Sequence, residues 1–575
     1  MRHMVDPGEQ RLFSPFDGLF SGQAIRHLQD GWQGVLRHVL LKVMPARELG
    51  TNFHPTLGAP TKELYSMAGL VFLADFKHWT VEEAIEAYLF HSDVQYALNL
   101  EPGGKLCTRS LERYQKLFRN SDLGETVMRN VTDELAKVLD LNVTRQRLDS
   151  THIFSRMATF GRTRLLATTT KRFLMRIRKG AAAEYALLPQ DLRKRYEVTV
   201  AQLFASKRKK DPDAAAKGRQ QAAEDLLFVI EHFADKAFRP GYRTLLRVFA
   251  EQCELVEGQG KVAIKQKTGG DCLQNPSDLD ATFDGHKGPG YQVQLSETCS
   301  EDNEVQLILG ALPQTACERD EQALVPMLEQ LQGAGHLPKE VTADTQYGSD
   351  ANYVAAAALG VELIAPVAGR PVQASADTLT VDDFAVDERT GMVDACPAGH
   401  APLSVQRDAA AGLTVLEMSA ATCQACPHQE QCPIHKGRDD RFTLEYTDKE
   451  LRTASRRCEQ ETEVFQERYS SRAGIESTNS GAKNRLDMGT LRVRGRGSVF
   501  RVLWHKVAGW NLLRAAASAK LRAVVADAVA RSLGLGRSAQ DGEVSRHDFG
   551  RPAAFPTVSR RLGTSAPASI DFLAA

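Results

Sequence analysis

Strand and helix patterns alternate over residues 291–366, and this alternation constrains the fold more than any other feature of the chain. The strand patterns are short apolar runs or apolar–polar alternations, and they occur at 291–295, 305–309, 340–344 and 361–366. Helical periodicity separates the last three of them. Because strands connected through helices pair in parallel, we predict an α/β fold with further helical segments before and after the sheet.

The length of 575 residues allows roughly three or four domains. Residues 1–125 show helical periodicity and a capping box at Thr80 and Glu83, which suits a helix-turn-helix-like DNA reader or a small helical bundle. The remaining predicted segments are a first part of the α/β domain at 140–160, a basic helical insertion at 161–270, and the α/β domain continued at 271–366. They are followed by a cysteine-rich, loop-rich and zinc-ribbon-like insertion at 367–446, helices of the same domain at 447–531, and a disordered tail at 532–575.

The formal net charge is zero, which argues against a uniformly basic nucleic-acid binder. The cations are nevertheless segregated into two stretches, from Arg162 to Arg219 and from Arg485 to Arg522. The second stretch has Asp487 as its only acid. Such clusters are typical of a surface that binds a polyanion, although solvated helix faces would give the same runs.

No apolar run approaches the roughly 18 residues that a membrane span requires, so we predict no membrane association. The first residues lack the apolar core of a signal peptide. We therefore expect a cytoplasmic protein, in which six of the ten cysteines, scattered singly, are reduced thiols.

The other four cysteines form a cluster in which two are spaced as Cys-x2-Cys: Cys396, Cys423, Cys426 and Cys432. In a reducing compartment such a pattern usually binds structural zinc through four thiolates. His400 and His435 are alternative ligands, and an iron–sulfur cluster or unliganded thiols are alternative interpretations. We predict a zinc site that braces the loop-rich insertion.

Three carboxylates are candidates for chemistry. Asp344 ends a predicted strand, where ligands of parallel α/β sheets bind, and Asp149 lies within an extended segment, where Asp is disfavoured. Each could instead cap a loop or a helix. Together with Glu476 they would meet the need of phosphodiester chemistry for several carboxylates around two Mg²⁺ ions.

Four polar residues, Tyr469, Arg472, Glu476 and Lys483, are separated by whole helical turns, so on one helix they would share one stripe. A stripe of one carboxylate, two cations and a phenol suits a surface that holds a metal ion against a phosphodiester backbone. The alternative is a solvated helix face with an i,i+4 salt bridge between Arg472 and Glu476.

The Tyr-x2-Arg-x3-Glu-x6-Lys spacing of these residues resembles the signature of bacterial insertion-sequence DDE transposases. The segment around Asp149 resembles the first-aspartate motif of that family, and Asp344 with Tyr347 resembles the second. Residues 280–291 are similar to the strand pair between the two aspartates, and residues 64–118 to the N-terminal domain. With the cysteine cluster, the resemblance is to the insertion sequence eleven-eighty-two-like group, over about residues 50–520.

This resemblance implies an RNase H-like catalytic core in which Asp149, Asp344 and Glu476 bind two Mg²⁺ (or Mn²⁺) ions. It also implies that Tyr469, Arg472 and Lys483 contact transposon-end DNA. The implied activity is cleavage at the transposon ends and joining of the freed 3′-hydroxyl to target DNA. The expected partners are the terminal inverted repeats, read by the N-terminal helices, and target DNA. We expect a homodimer in the synaptic complex and association with the bacterial nucleoid.

Two features depart from the family pattern: Gln346 stands where Gly is frequent, and the basic stretch at 163–256 exceeds a minimal core. Two other functions also stay open. The chain could be a catalytically inactive DNA-binding protein derived from a transposase, against which the intact carboxylates argue. It could also be an RNase H-like nuclease that cuts DNA without joining it.

Overall fold

The computed structural model describes residues 1–8, 16, 18–204, 212–256, 260–367, 378–387, 390–437, 439 and 441–532. Apart from its first residue, the tail predicted to be disordered lies outside these ranges. Within them, no helix combines the length and the apolar character needed to cross a membrane.

Helices fill most of the described chain on both sides of the sheet strands. The helices before the first strand are α1 Gly22–Asp30, α2 Trp32–Val35, α3 Ala46–Gly50, α4 Leu64–Phe76, α5 Val81–Phe90, α6 Ser92–Ala97, α7 Thr108–Arg119 and α8 Leu123–Leu139. Those that follow are α9 Arg162–Gly180, α10 Ala182–Ala186, α11 Gln190–Glu197, α12 Pro212–His232, α13 Tyr242–Gln252, α14 Leu324–Gly333, α15 Asp350–Ala358, α16 Ala420–Gln424, α17 Asp448–Glu459, α18 Glu463–Ser470, α19 Ala473–Leu486, α20 Arg496–Ala516 and α21 Ala519–Ser532.

Several single turns connect these elements. A π-helical turn lies at Leu36–Leu40, and 3₁₀ turns lie at Leu41–Val43, Ala234–Lys236, Asp320–Gln322, Thr345–Tyr347 and Val381–Asp383. The strands are β1 Arg145–Ile153, β2 Cys253–Val256, β3 Lys261–Ile264, β4 Thr282–Asp284, β5 Gly288–Thr298, β6 Ile308–Thr315, β7 Glu340–Thr342, β8 Glu362–Ile364, β9 Ala385–Asp387, β10 Met392–Ala395, β11 Ser404–Asp408, β12 Leu413–Met418, β13 His435–Lys436 and β14 Phe442–Thr447.

The central sheet is mixed. Five of its strands run in the order β6-β5-β1-β7-β8, and β4 pairs with the first residues of β5. The β6, β5 and β1 strands pair antiparallel, whereas β1, β7 and β8 pair in parallel. The predicted α/β class is therefore confirmed, although β6 begins three residues later than the strand predicted at 305–309.

One hydrophobic core joins the sheet to helices from both ends of the chain. It includes side chains of α4, α8, β5 and α20. All but one of the 13 residues of α4 are buried, because α4 is covered on all sides. The helices α9, α11, α12 and α13 pack around a second core of their own.

The cysteine-rich region, expected to be a loop-rich insertion, also contains two small antiparallel sheets. Strands β11, β12, β14 and β13 form a four-stranded antiparallel sheet, and β9 pairs with β10. In β12 every second side chain is buried, and these side chains contribute to a small third core. The strands were missed because each is short and their alternation is interrupted by polar residues.

Candidate active site

Asp149 lies in the middle of β1, opposite Leu295 of β5. Its side chain is 15 % exposed, and one carboxylate oxygen, Oδ2, accepts a hydrogen bond from Asn479 Nδ2 at 3.0 Å. Burial raises the pKa of Asp149, and the opposing effect of Arg472 does not cancel that rise. The aspartate that is unusual within a strand thus carries a carboxylate that lies under helix α19.

Asp344 lies two residues after the end of β7 and is the N-cap of the 3₁₀ turn Thr345–Tyr347, where its Oδ1 accepts the backbone N–H of Gln346 at 2.9 Å. The last paired residues of β1 and β7 are Arg147 and Thr342. Each aspartate lies two residues beyond this pair. The parallel register therefore brings the two carboxylates to the same place at the edge of the β1–β7 pair.

The expectation of one helical stripe was wrong, because the helix is interrupted. Tyr469 lies on α18, Arg472 lies in the turn before α19, and only Glu476 and Lys483 lie on α19. This break turns the Arg472 side chain toward the sheet, where it meets both aspartates as well as Glu476.

Arg472 joins the three candidate carboxylates. Its Nη2 lies 3.5 Å from Asp149 Oδ1 and 3.9 Å from Asp344 Oδ2, and its Nη1 lies 3.4 Å from Glu476 Oε1. Burial lowers the pKa of Arg472, but the surrounding carboxylates outweigh burial and raise it. Burial likewise raises the pKa of Asp344 despite the opposing charge of Arg472.

The other two predicted residues, Tyr469 and Lys483, border the same site. The ring of Tyr469 stacks on Phe465 at a centroid distance of 5.7 Å, and burial raises its pKa while Arg472 lowers it. Burial and the neighbouring charge of Lys287 lower the pKa of Lys483, which is also within electrostatic reach of Asp149. All six predicted catalytic and DNA-contacting residues are thus neighbours.

A buried ion pair under α19 fixes the start of this helix. Arg147 Nη2 lies 2.6 Å from Glu297 Oε2, and Arg147 Nη1 donates to the carbonyl of Ser471 at 3.1 Å. Thr478 Oγ1 donates to the other oxygen of Glu297 at 2.6 Å. A Cβ at Gly474 would overlap the Arg147 guanidinium, so a residue without a side chain is required there.

Sequence reasoning missed a fourth carboxylate, Asp320, in the 3₁₀ turn after β6. It accepts hydrogen bonds from Ser150 Oγ at 2.9 Å and from Gln294 Nε2 at 2.7 Å, and Lys287 Nζ lies 3.9 Å away. Its charge contributes to the raised pKa of both Asp149 and Asp344. The only signal in the sequence was a position a few residues after a strand. The polar Asp-Glu-Gln sequence of the turn gave no reason to single out Asp320. Asn479 was also missed.

Comparison with known proteins adds one finding. Residues 395–516 match the family model of a transposase DDE domain. The match supports a DDE transposase, an enzyme class that acts on DNA, and the mixed α/β sheet with many helices fits such a domain. It contains Glu476 and starts after both aspartates in the sequence. No curated protein matches the chain.

DDE transposase domains generally use divalent metals, so the site was tested for its fit to one. Among the described residues, no group of three or more His, Cys, Asp or Glu side chains is arranged to hold a metal ion. At the three carboxylates, the Arg472 guanidinium occupies the position between them. The oxygen ligands themselves suit Mg²⁺, because carboxylate oxygens are its preferred ligands. The buried Asn479 Oδ1 is a further oxygen, and it has no hydrogen-bond partner in the part of the chain that the structure describes.

The four clustered cysteines line one cavity of about 30 Å³, together with His400 and His428. His435 lies on β13 and does not line it. Burial raises the pKa of Cys423, and the neighbouring thiols raise it further. The structure thus brings the four predicted thiols together, although their atoms are not arranged as a metal site.

Proposed function

We propose that the chain is a DNA transposase that cleaves phosphodiester bonds at transposon ends and joins the freed 3′-hydroxyl to target DNA. Asp149, Asp344 and Glu476 would be its catalytic carboxylates. The observation that carries this proposal is the single guanidinium of Arg472, which lies within 4 Å of all three. These carboxylates come from a strand, a strand end and a helix that are far apart in sequence.

The sheet order supports an RNase H-like core. Three antiparallel strands, β6, β5 and β1, continue into the parallel strands β7 and β8. In such an order the first and fourth core strands are neighbours. Here the first is β1, which carries Asp149, and the fourth is β7, which precedes Asp344. The segments at 140–160, 271–366 and 447–531 would form this core.

Asp149 and Asp344 would hold Mg²⁺ or Mn²⁺, with Glu476 as the third ligand. Two such ions, when bound, stabilise the attacking and leaving oxygens of an in-line displacement. The exposed Glu476 faces solvent, so it can complete the site as DNA arrives. Lys483 and Tyr469 would contact the DNA backbone, which positions DNA without reading its sequence.

Arg472 would have two roles. Without metal, it neutralises carboxylates whose burial is otherwise costly, as the raised pKa of Asp149 and Asp344 indicates. With divalent cations on the carboxylates, the guanidinium would be free to hold a phosphate of the DNA end. Its buried Nε, which has no hydrogen-bond partner among the described residues, would be a donor for that contact.

The remaining roles follow the same proposal. The N-terminal helices would read the terminal inverted repeats, the 161–270 insertion would contact DNA, and a homodimer would bring two ends together. Cys396, Cys423, Cys426 and Cys432 would bind one structural zinc in the cavity that they line, bracing the sheet of β11 to β14.

The carboxylate assignment is tested with a plasmid that carries the gene and its flanking DNA. Asp149→Asn, Asp344→Asn and Glu476→Gln should each abolish Mg²⁺-dependent cleavage and leave DNA binding largely intact. The matched control is Glu467→Gln, which removes an exposed carboxylate on α18 and should cleave normally. Normal cleavage by Glu476→Gln would refute the triad. Cleavage by the wild type without joined product from pre-cut ends would instead indicate a nuclease.

A further inference from the structure

An arginine-rich loop is attached to the end of the strand that carries Asp149. Residues 489–493 run parallel to the continuation of β1: Phe154 N–H donates to Gly489 O at 2.9 Å, Leu491 N–H donates to Phe154 O at 2.8 Å, and Arg156 N–H donates to Val493 O at 2.8 Å. The backbone of this loop is therefore held in place. Arg492 lies in this loop, Arg494 follows it and Arg496 begins α20, and all three side chains are exposed.

Four arginines lie beside this loop and are here called the distal arginine cluster: Arg156, Arg172, Arg176 and Arg494. The backbone of Arg156 pairs with Val493, and Arg172 lies within electrostatic reach of Arg176 and Arg494. Arg172 and Arg176 project from α9 of the basic insertion. Burial lowers the pKa of Arg172, and the charges of Arg176 and Arg494 lower it further, with no carboxylate opposing them. The insertion and the loop thus contribute cations to one surface.

No direct ion pair joins a carboxylate to the cluster in the described part of the chain, where the Arg156 and Arg494 side chains also form no hydrogen bond. The carboxylates of this region are bonded to other groups. Asp280 accepts the backbone N–H of Arg496 at 2.8 Å, and Asp278 accepts the hydroxyls of Ser155 and Tyr291. Like charges without a direct counter-ion repel each other, and a polyanion relieves this repulsion.

The surface is open enough to accept a nucleic-acid backbone. A groove of about 630 Å³ is lined by Arg156 and Arg492 together with His78 and Thr80 of the N-terminal part. Cations also lead from the candidate active site toward it. Lys287 Nζ donates to Ser150 Oγ at 3.3 Å, and both Lys287 and Lys483 lie within electrostatic reach of His152.

The distance from the candidate site to the loop follows from strand geometry. Phe154 and Arg156, which pair with the loop, lie five and seven residues after Asp149, which corresponds to roughly 17–23 Å at about 3.3 Å per residue. One DNA strand advances about 3.4 Å per nucleotide. We propose that the distal arginine cluster binds the sugar–phosphate backbone of duplex DNA about five to seven nucleotides from the scissile phosphate. This inference rests on the proposed transposase function.

The test measures the salt dependence of DNA binding by fluorescence anisotropy with a labelled 30-base-pair duplex of arbitrary sequence. Each lost phosphate contact should reduce the slope of log K against log salt by about 0.9. Arg156→Gln with Arg494→Gln should therefore reduce it by about 1.8 and weaken binding by roughly tenfold. Arg156→Lys with Arg494→Lys should retain most of the wild-type slope.

The matched control is Arg129→Gln with Lys137→Gln, which removes two exposed cations from α8. Equal slopes for the glutamine variant and this control would overturn the proposed contact. Thermal unfolding checks that all variants are folded. Failure of the transposase proposal is a separate result: the wild type would bind duplex DNA without nicking a plasmid that carries the flanking DNA in Mg²⁺.

Discussion

The buried cluster of Asp75, Arg501 and His505 contrasts with the cluster around Arg472. In the core, Asp75 receives two hydrogen bonds from Arg501, at 2.8 and 3.0 Å, and one from His505 at 2.7 Å. At the candidate site, one guanidinium is shared among three carboxylates at 3.4, 3.5 and 3.9 Å. The core has two donor side chains for one carboxylate, whereas the site has one donor side chain for three carboxylates.

This difference in balance appears in the pKa values of the carboxyl groups. Burial raises the pKa of Asp75, but Arg501 and His505 outweigh burial and the net pKa is lowered. For Asp149 burial prevails over Arg472 and the net pKa is raised. The carboxylate of the core cluster is therefore satisfied without a further cation. The site cluster has negative charge in excess, as a cation-binding site requires.

Loss of the core carboxylate should have the largest effect. Asp75→Asn leaves the buried Arg501 without its counter-charge and should lower the free energy of unfolding by about 3–5 kcal/mol. Urea denaturation followed by tryptophan fluorescence measures this, because the four tryptophans pack in or against the same core. The control Glu83→Gln breaks an exposed pair with Arg492 and should have a far smaller effect. Similar losses in both variants would contradict the contrast.

Removal of the shared guanidinium should have an intermediate effect, and one of opposite sign. Arg472→Gln removes a cation that competes for the carboxylates, so Mn²⁺ should bind severalfold more tightly, as loss of a pair worth up to about 1 kcal/mol implies. Isothermal titration calorimetry with Mn²⁺ measures this. The control is Arg468→Gln, because Arg468 pairs with Glu340 and Glu362. Weaker Mn²⁺ binding by Arg472→Gln would show that Arg472 supports the site instead.

The smallest effect should be a pH dependence of the core cluster. Burial lowers the pKa of His505, despite the opposing effect of Asp75, so the unfolded state takes up a proton more readily than the folded state. The stability contributed by His505 is thus present above the unfolded pKa of about 6.5 and is lost as the pH falls below it. His505→Gln removes this titration, and its unfolding midpoint should fall less than that of the wild type between pH 7 and pH 5. Parallel decreases would exclude His505 as the cause.

The sequence predicted the strands of the α/β sheet and both aspartates, because short apolar alternations and residues at strand ends are local signals. It could not predict that Arg472 turns toward the sheet, since the break between α18 and α19 depends on Arg147 and Glu297 packing beneath. Arg501, the partner of Asp75, is 426 residues distant in sequence. No local signal therefore indicated the role of an aspartate within the apolar helix α4. The triad assignment, the metal ions and the zinc site stay predictions.

The register of β1 and β7 has a consequence for how such a chain can change over evolutionary time. Backbone pairing of two adjacent strands, about 4.8 Å apart, sets the spacing between Asp149 and Asp344. The segments that connect the two strands do not set it. The insertion at 161–270 leaves and re-enters the core between these two residues. Its length can therefore grow or shrink by gain and loss of sequence without altering the distance between the two carboxylates.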